Sequence, residues 1–159
     1  MAFPVRKAVA LLEILVNKQV QQTTQEKQAN TSSTSQTLFN LKLLAYERII
    51  LFIERIKPDS FIPRTLSPSL PYQEYQLLLI NEIRKEFEYN LSQQLYLSEN
   101  AWEVTVNFKD NIITLINSAA TSCPPQATAS DLARKILEHY ISSDLKGDQI
   151  SKIVKAEIQ

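Results

Sequence analysis

LFNLKLLAYERIILFIERIK, residues 38–57, decides the fold class. Leu38, Leu41, Leu44, Ala45, Ile49, Phe52, Ile53 and Ile56 recur at steps of three and four, the period of one helix face. Ile50 and Leu51 widen the stripe, which places this helix at the centre of a packed domain. Glu47 and Arg48 fall among its polar positions. Pro58 stops it, because proline has no N–H to donate and its ring collides with the preceding turn.

Downstream, Pro58, Pro63, Pro68 and Pro71 make residues 58–71 an extended connector. Phe61, Ile62, Leu66 and Leu70 would pin it to the helices. Residues 72–94 form a second long helix, with Tyr75, Leu78, Leu79, Ile83, Phe87 and Leu91 on its apolar side. Ser98 is a good N-cap for a third helix running to about residue 118. Leu97 and Trp102 stand at staple positions, and Glu99 suits the positive end of the dipole. Val106, Phe108, Ile112, Ile113, Leu115 and Ile116 would be buried. Its β-branched residues leave a strand over 104–108 as the lesser alternative. Cys123-Pro124-Pro125 closes this helix. Thr128 or Ser130 caps the next, over 131–141, and Gly147 separates a last one over 148–158.

Upstream, Val5, Ala8, Val9, Leu12, Leu15 and Val16 give residues 1–20 an amphipathic helical pattern. Residues 21–37 read QQTTQEKQANTSSTSQT, and 13 of these 17 are Gln, Ser or Thr. Such a stretch cannot offset its ordering entropy by burial. It reads as a flexible linker, or near 21–28 as a frayed extension of the first helix. The expected organisation is an arm over 1–20, a linker over 21–37 and a bundle over 38–159. The fold class is all-α, an irregular bundle of four to six helices with two long helices joined by a Pro-rich connector.

Composition excludes more than it selects. Gly147 is the only glycine in 159 residues. Loops that cradle phosphate need glycines for close backbone approach, so no nucleotide-binding signature is present. One cysteine, Cys123, and one histidine, His139, cannot build a structural zinc site, and no internal disulfide is possible. Charge is balanced, with 17 basic and 17 acidic side chains, which gives no general pull toward nucleic acid. The apolar run at 8–16 contains Glu13. As a helix, nine residues span roughly 14 Å, about half a bilayer core. No transmembrane helix is expected, and Glu13 argues against a signal peptide despite Arg6 and Lys7.

Two motifs occur in order, AYERIILFIERI at 45–56 and NLSQQLYLS at 90–98, the second followed by Ala101-Trp102. Together they resemble a family of uncharacterised bacteroidete proteins with an all-helical cytoplasmic domain, usually preceded by an N-terminal membrane helix. The resemblance covers residues 44–117. It implies an all-helical fold and no particular activity. The short N-terminal helix with Glu13 departs from the family's membrane helix.

No catalytic, cofactor-binding or metal-binding residue is identified. Glu82, Glu86 and Glu88 are interleaved with Arg84 and Lys85, which is the pattern of a solvated charged face. His139 and Cys123 have no motif around them. The 90–96 stretch gathers amide and hydroxyl side chains at a helix end. There they either satisfy orphan backbone groups or form a polar recognition surface. Tyr46, Arg48, Asn90, Gln93, Gln94 and Tyr96 are the candidate partner-binding residues. The leading expectation is a non-enzymatic helical scaffold or adaptor, cytoplasmic, acting on a protein partner or a second copy. Membrane contact through the N-terminal helix is the alternative, and an enzyme of unrecognised type the third.

Overall fold

The computed structural model describes residues 3–158, and side chains from residue 5 onward. Residues 1 and 2 of the expected arm and Gln159 of the expected bundle lie outside the described residues. Among the described residues six α-helices follow one another: α1 (Phe3–Ile56), α2 (Pro58–Thr65), α3 (Tyr72–Tyr89), α4 (Glu99–Thr121), α5 (Ala129–Ser142) and α6 (Gly147–Ala156). A 3-10 segment, Leu91–Leu95, stands between α3 and α4. The described residues are 84% helical and include no strand, in keeping with the all-α bundle. The alternative strand over 104–108 is helix instead, inside α4. The chain divides into two compact units, Met1–Leu41 and Lys42–Gln159.

The first unit is helical throughout its described residues, so the expected linker over 21–37 is corrected to α-helix. The physical reason lies in what the segment lacks. No glycine or proline occurs between Pro4 and Pro58. Gln, Glu, Lys and Ala propagate a helix at little cost once it is nucleated. The threonines turn their hydroxyls inward along the helix: Thr23 Oγ1 donates to the Gln19 carbonyl at 2.8 Å, and Thr34 Oγ1 to the Asn30 carbonyl at 2.9 Å. Thr24, Thr31 and Thr37 repeat the same bond. Side chains that compete with the backbone in an extended chain are thereby satisfied within the helix. Every side chain from residue 5 to residue 41 is exposed.

The second unit builds one continuous core. Tyr46, Ile49, Phe52, Ile53 and Ile56 come from the last turns of α1, Tyr75, Leu79 and Ile83 from α3, and Phe108, Ile112 and Ile116 from α4. Leu132 and Ile136 of α5 and Val154 of α6 complete it. α5 lies against α2, α3 and α4, and α6 against α4. Phe52, Phe87 and Trp102 form an aromatic run, with centroids 5.9 Å and 5.4 Å apart.

Residues 58–65, expected as extended, are the helix α2. Pro58 occupies its first turn, where a missing N–H costs nothing and the fixed φ suits the helix. Burial of Phe61 and Ile62 holds it in place. Only the remainder of the connector is irregular. It is pinned before α5 by Tyr72 N donating to the Ala127 carbonyl at 3.2 Å and Ala129 N to the Leu70 carbonyl at 2.7 Å. α3 ends at Tyr89, five residues earlier than its apolar period suggests. There Asn90 Nδ2 donates to the Glu86 carbonyl at 2.7 Å, satisfying a carbonyl the helix would otherwise orphan.

Candidate partner-binding surface

The α3–α4 corner is organised around Ser98. Its Oγ accepts from Ala101 N at 3.0 Å, the N-cap bond expected from the sequence. The same hydroxyl donates to Glu157 Oε2 at 2.5 Å, and Asn100 Nδ2 donates to Glu157 Oε1 at 2.6 Å. These two bonds hold the Glu157 carboxyl below its usual range, the Ser98 bond contributing most. Ser98 N donates to the Tyr46 hydroxyl at 3.1 Å. One serine therefore joins α1, the start of α4 and the end of α6.

The opposite end of α6 is tied to the end of α1. Lys57 is 8% exposed, and its Nζ lies 2.8 Å from Asp148 Oδ1 and 2.8 Å from Glu54 Oε2. Burial alone would lower the Lys57 pKa, but the bonds to Asp148 and Glu54 outweigh it and raise the value above that of a free lysine. Ser151 Oγ donates to Glu54 Oε1 at 3.0 Å, and Gly147 N to the Tyr140 hydroxyl at 3.2 Å.

These contacts fix which of the anticipated residues face inward. Tyr46 is 5% exposed and supplies the acceptor for Ser98 N. Asn90 closes α3, and Gln93 is 9% exposed within the 3-10 segment. Gln94 is exposed and Tyr96 half-buried at the end of that segment. Arg48 is exposed on α1, two residues from Tyr46 and so about 200° around the helix from it. Asn90, Gln93, Gln94 and Tyr96 thus lie together at the end of α3 and along the 3-10 segment, Tyr46 meets Ser98 just beyond them, and Arg48 is set on another side of α1. Sequence reasoning missed the outward apolar residues of that corner: Tyr89, 84% exposed, Leu91, 44%, and Leu95, 76%. Their signal was available. An exposed helix end should be polar, and these three are not.

The carboxylates considered for acid–base work are differently placed. Glu86 accepts from Arg55 Nη2 at 2.5 Å, Glu82 lies 3.7 Å from Lys85 Nζ, and Glu88 is exposed. Among the described residues, no three His, Cys, Asp or Glu side chains converge to hold a metal ion. A groove of about 450 Å³ runs between α4 and α6, with Val104, Phe108, Ile150 and Ile153 as its apolar lining and Asn107 and Asn111 as amides beside them.

Residues 1–159 match the model of DUF7935, described as a family of unknown function. The chain belongs to that family. Neither a curated protein nor a solved structure matches it. Both motifs that suggested an uncharacterised helical family lie within the span matched to DUF7935. The membrane helix implied by that resemblance has no counterpart among the described residues, where no helix is long and apolar enough to cross a membrane. The reason is local: Glu13, Asn17 and Lys18 interrupt the apolar side chains after residue 12.

Proposed function

We propose that this DUF7935 chain is a non-enzymatic helical adaptor that engages protein through its first unit. One observation carries the reading: Val5, Val9, Leu12, Val16 and Val20 recur at helical spacing and are each 49–64% exposed. A helix of this kind gains its stability by laying its apolar face on another surface. Leaving it in water costs roughly 25 cal/mol for each Å² of apolar area. Recovery of partners by the full chain, compared with a chain lacking residues 1–30, tests the proposal. A stoichiometric partner held by the full chain and lost with the deletion is expected. Identical recovery by both chains would overturn it. The cytoplasmic, bacterial setting that goes with this reading rests on the resemblance of the two motifs.

A second reading is favoured by the same segment's charge. Arg6 and Lys18 flank the apolar residues, the pattern of a helix lying in a membrane interface. Flotation with anionic vesicles decides it: protein that stays at the bottom of the gradient removes the membrane from consideration.

A further inference from the structure

We infer that the acidic corner between α3 and α4 receives residues 5–20 of a second copy of this chain. The inference rests on the reading of those residues as partner-facing and names their partner. Arg84 and Lys85 precede this corner and Lys109 follows it, but Lys85 lies 3.7 Å from Glu82 and Lys109 3.0 Å from Asp110, and between them residues 86–108 contain four glutamates and no lysine or arginine. Glu86 is taken up by Arg55, while Glu88, Glu99 and Glu103 are exposed. In the sequence Tyr89, Leu91 and Leu95 lie between Glu88 and Glu99, and all three are exposed within seven residues of chain. Tyrosine is enriched at interfaces, and the two leucines add apolar area inside a polar rim.

The complementary surface is on the same chain. Residues 1–41 carry Arg6, Lys7, Lys18 and Lys27 against Glu13 and Glu26, so 4 − 2 = +2. Residues 42–159 carry the remaining 13 basic and 15 acidic groups, so 13 − 15 = −2. A neutral chain is thus made of one basic and one acidic unit. Opposite fields steer encounter and suppress like-with-like pairing. A basic apolar helix and an acidic apolar corner can be exchanged reciprocally between two copies. Such an exchange closes with two-fold symmetry and uses each surface once per copy.

The mass of the full chain in solution, by light scattering at low and physiological salt, tests this. About twice 18.2 kDa is expected, with dissociation favoured by salt. Arg6→Glu with Lys18→Glu in one variant, and Glu88→Lys with Glu103→Lys in another, should each bring the mass down to one chain. These positions are exposed, so helicity should not change. Mixing the two variants should restore the dimer, because reversed arm then meets reversed corner. Cross-linking of Cys introduced at Leu12 and Leu95, in a Cys123→Ser background, should give a species of two chains. A monomeric wild type, a dimer indifferent to the corner variant, or a cross-link within one chain each overturns the inference. Recovery of a different protein through residues 1–30 by a monomeric chain would overturn it while leaving the adaptor reading in place.

Discussion

Gly147, the one glycine of the chain, is explained by a neighbour and not by its own backbone. Its φ is not positive, so it is not there for a left-handed turn. A Cβ at this position would run into Cγ and Cδ of Lys57. That stem cannot easily move aside, because its ammonium is held by Asp148 and Glu54. On helix propensity alone, Gly147→Ala would gain up to about 1 kcal/mol. Overpacking a fixed site costs about 1–3 kcal/mol, and the second effect wins. The variant should therefore unfold at lower urea concentration than the wild type. Tyr46 gives a second case at this scale. Tyr46→Phe keeps the ring in the core but leaves Ser98 N without its acceptor. A loss of about 1–3 kcal/mol is expected from the unpaired donor. An equal midpoint for the two proteins would show that Ser98 N finds another partner.

At the scale of the element, α6 is held at its two ends by carboxylates. Asp148 is lowered by the Lys57 hydrogen bond and charge, and Glu157 by Ser98 and Asn100. A carboxyl whose folded pKa is depressed contributes stability above its unfolded value and loses it as pH falls through the folded one. Acid should therefore release α6 before the rest of the bundle. Amide exchange followed from pH 6 down to about pH 2, through and below the ordinary carboxylate range, should show protection falling in α6 ahead of α4. Simultaneous loss in both helices would show that the end ties do not control α6. Lys57 has the opposite sign: its raised pKa keeps its contribution through neutral pH and loses it only in strong alkali. The α3–α4 corner shows how elements were legible. The N-cap at Ser98 was readable because it is a local rule about one side chain and the next turn. The end of α3 at Tyr89 was not, because Leu91 continues the apolar period while Asn90 closes the helix.

At the scale of the molecule, the two units obey different physics. Residues 42–158 are held by a core, whereas residues 5–41 are held by backbone bonds and threonine hydroxyls within one helix. Ser33→Pro should break the helix of the first unit, at about 3 kcal/mol for an interior proline. Ellipticity should fall without a shift in the unfolding midpoint reported by Trp102, the single tryptophan, which packs on the core of the second unit. A shifted midpoint would show that the bundle draws stability from residues before Lys42. The balanced total charge belongs to this scale too, since it conceals a basic unit and an acidic one.

The sequence by itself determined the helical class, the cap at Ser98, the absence of glycine-built loops and, of the stripe read over residues 38–57, the buried part from Ala45 on; Leu38, Leu41 and Leu44 of that stripe are exposed. Each of these follows from periodicity or from the chemistry of one or two adjacent residues. Only the tertiary structure decided which polar residues are internal. Tyr46, Gln93 and Lys57 look like surface residues in the sequence and are buried, Tyr46 where Ser98 at the start of α4 meets it and Lys57 where Asp148 of α6 meets it. It also decided that Tyr89, Leu91 and Leu95 remain outside. Burial depends on what a distant part of the chain places against a side chain, and no local pattern carries that information.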